Sequence, residues 1–259
     1  MKLKMIKNIL IFFLLFKVIF GQDLTAYEVM DRVYSIPKPK TSIMEIRLEI
    51  TRKKRDKEKT KVREFTRYEK YYEKGKYRSK SMARFNKPNV VKGTGLLSWS
   101  QRNGQTDQWF FLPKLKTAKK VKGKEKSKSF LNTDFIYEDL ESRRPGIDSL
   151  ISIGTEFVNG KKCRTIMAWP KNQSSYFARK LWVDTQNWQI TKVEYYKSES
   201  NKEKTLVLSD FIDINGFTTP GKMLMDMGNG NKTLMQITSY EPDIGLNDEI
   251  FSKSYLIKK

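Results

Sequence analysis

The sequence contains no histidine and only one cysteine, Cys163, among its 259 residues. The absence of histidine excludes a serine–histidine–aspartate triad, a cysteine–histidine pair and any metal site built on imidazole. With a single thiol, the chain can form neither an internal disulfide nor a thiolate metal cluster. We therefore interpret Cys163 as a small buried apolar residue, and we expect the fold to depend on its hydrophobic core.

Nucleotide-binding loops are also missing. Residues 228–233 lack the glycine that precedes lysine in a phosphate-binding loop, and residues 93–95 are too short a glycine pattern for a dinucleotide site. Carboxylates are the remaining catalytic option, because glycoside hydrolysis needs only two of them. Four acidic residues cluster in the middle of the chain: Asp134, Glu138, Asp139 and Glu141. A surface ion pair between Asp139 and Arg143 is the favoured interpretation of this cluster, so we predict no enzymatic activity, no cofactor and no metal.

The longest apolar run lies at the N terminus and is too short to span a membrane. Three lysines precede an apolar core at residues 9–16, which Lys17 interrupts. This pattern is typical of a secretory signal peptide, residues 1–21, with cleavage expected after Gly21; an uncleaved anchor is the less favoured alternative. We predict that residues 22–259 form a single soluble domain outside the cytoplasm.

Positive charge dominates the chain, with 51 lysine and arginine residues against 29 acidic residues and a formal net charge of +22. Removal of the four lysines of the signal segment would take this charge from +22 to +18. Such a charge attracts polyanions, although export argues against nucleic acid as a partner. Two interpretations of this charge stay open: attraction to an anionic membrane surface, or solubility alone. The basic connections at residues 52–60 and 114–128 would accordingly dock an anionic membrane or the cargo, or they would only be mobile loops.

One helix is predicted ahead of a long series of strands. Thr25 and Glu28 fit a capping box, and apolar residues recur at helical spacing over residues 24–33 before Pro37 ends the run. Residues 44–51 then alternate between apolar and charged side chains, which is typical of an antiparallel strand with one dry face. Further strands are predicted at residues 62–72, 76–85, 96–100, 108–112, 155–158, 162–169, 178–184, 189–196, 205–214, 222–227 and 233–240.

Tight turns separate several of these strands, at Asn103-Gly104, Asn159-Gly160, Asn215-Gly216 and Gly228-Asn229-Gly230. Many short strands with tight turns predict a large antiparallel sheet that curls or closes. Its apolar concave face needs a cover, and the candidates are the N-terminal helix and residues 130–140. Residues 130–140 and 142–151 fit either short helices or loops. If these segments fill the concave face, the protein is a packed barrel; if they form a lid over it, a cavity remains. The sequence leaves both alternatives open.

Several segments resemble one family in the same order along the chain. They are residues 24–33, 107–113, 119–121, 129–140, 181–184, 215–220 and 248–252, of which Ser129-Phe130-Leu131-Asn132-Thr133-Asp134-Phe135-Ile136-Tyr137-Glu138-Asp139-Leu140 is the most distinctive. The order resembles the LolA-like outer-membrane lipoprotein-sorting proteins, and the resemblance covers nearly all of residues 22–259.

The resemblance implies a fold and a function. The fold would be an incomplete antiparallel β-barrel with a few helices over an apolar concave face, which favours a cavity. The function would be to bind acyl chains of lipoproteins or phospholipids and carry them through the periplasm toward the outer membrane. An inner-membrane transporter is the partner that the family association implies. The alternative is an accessory module of the same fold that binds a protein partner and carries no lipid.

Strand alternation, not a transferable family motif, selects the side chains predicted to line such a cavity. They are Met44, Ile46, Leu48, Ile50, Trp109, Phe111, Phe130, Phe135, Leu181, Val183, Met223, Met225 and Met227. The three methionines share one face of a strand, where flexible thioether side chains suit a variable hydrocarbon ligand, although core packing explains them equally well.

Overall fold

A computed structural model of the chain describes residues 24–144 and 146–258. The predicted signal peptide, residues 1–21, lies outside the described residues. None of the helices in the described part is long and apolar enough to cross a membrane. The described residues form one large antiparallel sheet, a separate two-stranded sheet and two α-helices, α1 (Ala26–Ser35) and α2 (Lys253–Ile257).

The first helix begins where the sequence predicts it. The Thr25 backbone N–H donates to Glu28 Oε2 at 2.7 Å, and the Glu28 N–H donates to Thr25 Oγ1 at 3.2 Å, which completes the capping box. Ala26, Val29 and Met30 are buried on one side of the helix. This helix packs on one end of the sheet and covers part of its inner face.

The strands follow one another along the chain and pair mostly with their sequence neighbours. They are β1 (Thr41–Lys54), β2 (Lys57–Tyr71), β3 (Tyr77–Lys87), β4 (Gly95–Gln101), β5 (Thr106–Phe111), β6 (Ala118–Lys120), β7 (Asp148–Val158), β8 (Lys161–Pro170), β9 (Ala178–Asp184), β10 (Ile190–Tyr196), β11 (Lys202–Ser209), β12 (Ile212–Ile214), β13 (Phe217–Thr219), β14 (Lys222–Asp226) and β15 (Lys232–Pro242). The 13-stranded sheet has the order β6-β5-β4-β3-β2-β1-β15-β14-β11-β10-β9-β8-β7, with open edges at β6 and β7. The predicted incomplete antiparallel barrel is thus confirmed as a sheet that does not close.

The 13-stranded sheet is strongly curved, because strands that are far apart in its order line the same cavity. Ser98 of β4 and Leu206 of β11 line the same cavity, although six strand-to-strand steps separate their strands. At about 4.8 Å per step, a flat sheet would hold these strands roughly 29 Å apart. The sheet therefore curls around an inner face, which carries a large apolar core cluster.

The outer face carries a smaller core cluster under α2. It contains Met82, Leu97, Trp109, Phe111, Phe251 and Leu256. Arg84 holds α2 in place, since its Nη2 donates to the carbonyls of Tyr255 at 2.8 Å and Leu256 at 3.0 Å. Both faces of β4 and β5 are therefore covered.

Four segments differ from the prediction. Residues 205–214, predicted as one strand, belong to β11 and β12, which lie in two different sheets. The connection predicted at residues 52–60 is mostly paired strand: β1 and β2 continue to a two-residue turn at Arg55 and Asp56. Both faces of this hairpin are exposed, and its sequence accordingly lacks apolar alternation. A cross-strand hydrogen bond of 3.0 Å between Thr51 Oγ1 and Thr60 Oγ1 stabilises the pairing of β1 with β2. Residues 142–151, predicted as a helix or a loop, include the start of β7, and residues 114–128 include β6 and two short 3₁₀ helices.

Candidate functional site

A cavity of about 290 Å³ lies between the inner face of the sheet and residues 129–144, here called the cover segment. This volume is at the lower end of the roughly 300–1,000 Å³ that is usual for small-molecule sites. β1 to β4, β11, β14 and β15 supply its walls, and Phe130 and Phe135 of the cover segment close it from above. Both aromatic side chains are 3% exposed.

The inner face changes from apolar to polar along the strands. At one end, Phe65 of β2 pairs with Phe85 of β3, and their ring centroids lie 5.0 Å apart. At the other end, the facing residues on β3 and β4 are Ser79 and Ser100. Because every second residue of a strand faces the same way, this change in composition makes the cavity amphipathic.

Two charged side chains of β2 lie in the polar part of the cavity, in addition to Asp139 and Glu141 of the cover segment. Arg67 and Glu69 alternate inward on β2, and Arg67 Nη2 donates to Glu69 Oε1 at 3.2 Å. The nearby carboxylate of Glu69 raises the pKa of Arg67, against the opposing effect of burial. The polar end is therefore charged, and Arg67 is paired with Glu69 through Nη2, although the buried Nε of Arg67 has no hydrogen-bond partner among the described residues. The apolar end can accept hydrocarbon.

The cover segment is held to the sheet by polar contacts at its first turn. Asp134 Oδ2 accepts from Arg52 Nη1 at 2.9 Å and from Thr233 Oγ1 at 2.6 Å. Arg63 Nη1 donates to the Leu131 carbonyl at 2.6 Å. These contacts come from β1, β2 and β15, so movement of the cover segment requires several charged hydrogen bonds to break together.

Further along the cover segment, a buried ion pair joins it to β11. Lys204 Nζ lies 2.6 Å from Asp139 Oδ2, and the two side chains are 2% and 1% exposed. The Tyr176 hydroxyl donates to the other oxygen of Asp139 at 2.7 Å. The predicted surface pair between Asp139 and Arg143 is therefore wrong: residues 137–140 form a short 3₁₀ helix, whose geometry ends before Arg143.

Glu138 joins the cover segment to the loop before β9. Its carboxylate accepts from the Ser174 hydroxyl, from the Ser175 N–H at 2.6 Å, and from Arg143 Nη1 at 3.4 Å. Burial acts to raise the pKa of Glu138, but the hydrogen bonds from Ser174 and Ser175 outweigh it and hold the pKa below its usual value. The acidic cluster thus serves to anchor the cover segment.

We expect Glu138→Gln to lower the free energy of unfolding by about 1–3 kcal/mol, because the amide accepts fewer hydrogen bonds in a buried position. Since the folded-state pKa lies below the ordinary 4.5, ionised Glu138 stabilises the fold above that pH, and the contribution is lost as the pH falls further. Urea unfolding at several pH values between about 3 and 6 measures both effects. The exposed Glu199→Gln is the control; equal losses in both variants at neutral pH would contradict the anchoring role.

A second cavity of about 230 Å³ lies under α1, against the inner face of β7 to β10. Met30 of α1, Leu150 of β7 and Leu181 of β9 form apolar parts of its wall. Asp139 and Glu141 line both this cavity and the main one, so the cover segment is the partition between them.

A wider surface groove of about 810 Å³ lies on the outer side of the cover segment. Its lining is mostly polar, including Asn103, Lys122 and Gln173. A groove of this composition offers little apolar surface to a hydrocarbon chain, so the inner cavity remains the candidate site despite its smaller volume.

The residues predicted to line a cavity are found in five different places. Those on the main cavity are Met44, Ile46, Phe130, Phe135 and Met223, and Leu181 lines the second cavity. Those buried in the inner core cluster without lining either cavity are Leu48, Ile50, Val183 and Met225. Met227 lies beyond the end of β14 and is half-buried. Trp109 and Phe111 lie on the outer face against Phe251, so their predicted place in the cavity is wrong.

Sequence reasoning also missed part of the cavity wall. The polar half, with Ser79, Ser98 and Ser100, has no apolar periodicity that would reveal it. Met235 and Ile237 of β15 could have been found, because they alternate cleanly within a predicted strand. The orientation of β5 could not have been predicted, because large apolar side chains around Trp109 lie on both faces of this strand.

Comparison with known proteins agrees with this architecture. A family model described as an uncharacterized protein matches residues 77–258. No curated protein sequence matches the chain. A domain from Vibrio parahaemolyticus, assigned to outer-membrane lipoprotein sorting, superposes with a TM-score of 0.83 at 23% identity, covering 90% of this chain and 98% of its own.

Two further solved structures are similar. A DUF1329 family protein from Desulfovibrio piger has a TM-score of 0.83 at 26% identity and covers 89% of this chain and 97% of its own. A LolA superfamily protein from Nitrosomonas europaea has a TM-score of 0.68 at 20% identity and covers 90% of this chain and 100% of its own. The chain therefore belongs to the family of uncharacterized proteins that matches residues 77–258, and it shares its fold with the Vibrio parahaemolyticus domain and the LolA superfamily protein.

Proposed function

We propose that this protein is a lipid carrier, which binds an acyl chain of a lipoprotein or phospholipid in the main cavity and delivers it toward the outer membrane. The observation that carries this proposal is an amphipathic cavity of about 290 Å³ under a cover segment anchored by polar contacts. Phe65, Leu96 and Met235 offer hydrocarbon at one end, and the serines offer hydroxyls at the other.

Release sets a limit on how tightly such a carrier binds. Each buried methylene group stabilises a complex by about 0.8 kcal/mol, so two fully buried long chains would be held too tightly to leave. A cavity at the lower end of the usual range suits one chain or part of one. Opening of the cover segment would enlarge it, and the bonds that Asp134 and Asp139 make would oppose that opening.

The location and the partners belong to the same proposal. The predicted signal peptide at residues 1–21 favours the periplasm, and the family resemblance favours an inner-membrane transporter as a partner. The exposed hairpin at residues 52–60, rich in lysine, offers a basic arm for an anionic membrane surface.

A second candidate function is an accessory module that binds a protein and carries no lipid. The specific observation in its favour is β7, an edge strand on which Ile151, Ile153 and Phe157 are 56%, 47% and 73% exposed. An exposed apolar edge strand can pair with a strand of another chain. The two candidates differ in whether the protein contains lipid.

The carrier proposal predicts that the protein, purified from its own envelope, contains lipid. Native mass spectrometry should detect a bound phospholipid or acylated peptide, because the apolar end of the cavity would otherwise face water. Extraction and mass analysis of the bound species would identify its class.

A protein that is purified empty, and that also fails to take up a fluorescent fatty acid after mild delipidation, would contradict the carrier proposal. The accessory function would then be favoured. The control is a β7 variant, Phe157→Ser, which changes the edge strand but no residue of either cavity. A lipid carrier should keep its lipid in this variant.

A further inference from the structure

The second cavity carries an unusual group of arginines. Arg143, Arg144 and Arg179 line it together under α1. Arg179 is 5% exposed, and its Nη2 donates to Asp148 Oδ1 at 2.8 Å. Arg143 Nη2 donates to the same oxygen, also at 2.8 Å. One carboxylate oxygen therefore serves two guanidinium groups.

Several donors in this cavity lack an acceptor. The Nε atoms of Arg143, Arg144 and Arg179 are buried, and none has a hydrogen-bond partner among the described residues. Arg144 makes no ion pair within residues 24–144 and 146–258. Because an unsatisfied buried donor is costly, these groups indicate a place for an acceptor that the chain does not supply.

The carboxylates nearby do not meet this need, because they already have cations of their own. Asp139 lies 2.6 Å from Lys204, and Glu141 lies 2.6 Å from Lys126. Burial, followed by the adjacent charge of Arg143, lowers the pKa of Arg179. The charges of Asp148 and Glu138 act against this lowering of the Arg179 pKa without cancelling it.

The position of the arginines relates them to the main cavity. Ser142 lines the main cavity at its polar end, and the next residues, Arg143 and Arg144, line the second. The apolar end of the main cavity lies in the opposite direction along β2 to β4. Polarity therefore rises from hydrocarbon to hydroxyl within the main cavity, and the guanidinium groups lie directly behind the cover segment that divides the two cavities.

We propose that the arginine-lined cavity binds the anionic head group, a carboxylate or a phosphate, of an amphiphile whose hydrocarbon chain lies in the main cavity. Arg144 and Arg179 are the head-group contacts. The planar guanidinium group pairs with either anion through parallel hydrogen bonds, which an uncharged head group cannot reproduce. This inference rests on the proposed carrier function and adds the chemical class of its cargo.

The test compares ligands that share a chain and differ in the head group. Dodecanoate, dodecyl phosphate and dodecanol each displace a neutral fluorescent naphthylamine probe from the delipidated protein at neutral pH. We expect both anions to bind at least about tenfold more tightly than dodecanol, as charge-assisted hydrogen bonds imply. Arg144→Gln should reduce this preference to about threefold or less, while the affinity for dodecanol stays unchanged.

The matched control is Arg47→Gln, which removes the same charge from the outer side of β1, where Arg47 pairs with Glu49 at 2.8 Å. It should keep the full preference for anions. Stabilisation of the wild-type protein by inorganic phosphate, as strong as by dodecyl phosphate, would overturn the assignment to an amphiphile.

The outcomes separate this inference from the carrier function. Equal binding of all three ligands would overturn the head-group site and leave the hydrocarbon carrier intact. A loss of dodecanol affinity in Arg144→Gln as large as the loss for dodecanoate would also overturn it, because the arginine would then act on the fold. Failure of all three ligands to bind would overturn the carrier function itself.

Discussion

Lys204→Met is expected to lower the free energy of unfolding by about 3–5 kcal/mol. The substitution removes the cation that lies 2.6 Å from Asp139 and leaves a carboxylate that is 1% exposed. An uncompensated charge in such a place is far more costly than the loss of the pair as a whole. The Tyr176 hydroxyl, which donates to Asp139 at 2.7 Å, cannot neutralise it. Chemical unfolding monitored by tryptophan fluorescence measures the change.

Two further variants test the cause. Lys202→Met lies on the same strand and breaks a pair in which the lysine side chain is 51% exposed, so it should change stability by about 1 kcal/mol or less. The double variant Lys204→Met with Asp139→Asn should be more stable than Lys204→Met alone, since it carries no unpaired charge. A double variant as unstable as the sum of the single changes would contradict a coupled ion pair.

Met223→Trp is expected to weaken the binding of a long acyl chain by at least about thirtyfold. Met223 of β14 lines the main cavity opposite its pairing partner Met235, and the larger indole would occupy space meant for ligand. Displacing roughly three methylene groups removes about 2 kcal/mol of binding free energy, which gives this factor. Displacement of the fluorescent probe by dodecanol measures the change without involving the head group.

The control for this variant is the preceding residue. Lys222→Trp adds the same indole on the other face of β14, where the lysine side chain is 40% exposed and pairs with Asp210 at 2.7 Å. Thermal unfolding of both variants shows whether Met223→Trp retains its fold. Acyl binding that survives in a folded Met223→Trp protein would mean that the ligand lies elsewhere, with the wider groove as the next candidate.

Much of the fold was predictable because it depends on local rules. The helix at residues 26–35 begins at a capping box that Thr25 and Glu28 form by themselves. Turns at Asn159-Gly160 and Asn215-Gly216 adopt positive φ angles, which these residue types tolerate, and this sets the strand ends. The full length of the β1–β2 hairpin was harder to predict, because its exposed, charged strand ends have no apolar periodicity.

The candidate site was less predictable, since it depends on partners far away in the sequence. Asp139 pairs with Lys204, which lies 65 residues further along the chain, and not with the arginine four residues away. Trp109 and Phe110 are both large and apolar, so alternation assigns them to opposite faces without saying which face is inside. Packing of α2 on the outer face puts Trp109 there and leaves Phe110 against the rings of Phe130 and Tyr137.

The sequence by itself determined that this chain forms a mainly antiparallel sheet behind an amphipathic helix, because caps, turns and alternation act between near neighbours. It also determined that histidine and disulfide chemistry are absent. Only the tertiary structure decided which face of the sheet is enclosed, how polarity changes along the cavity, and that three arginines meet under α1. These features arise from the curvature of the sheet, which brings together strands that are distant in the chain, and no local pattern encodes that meeting.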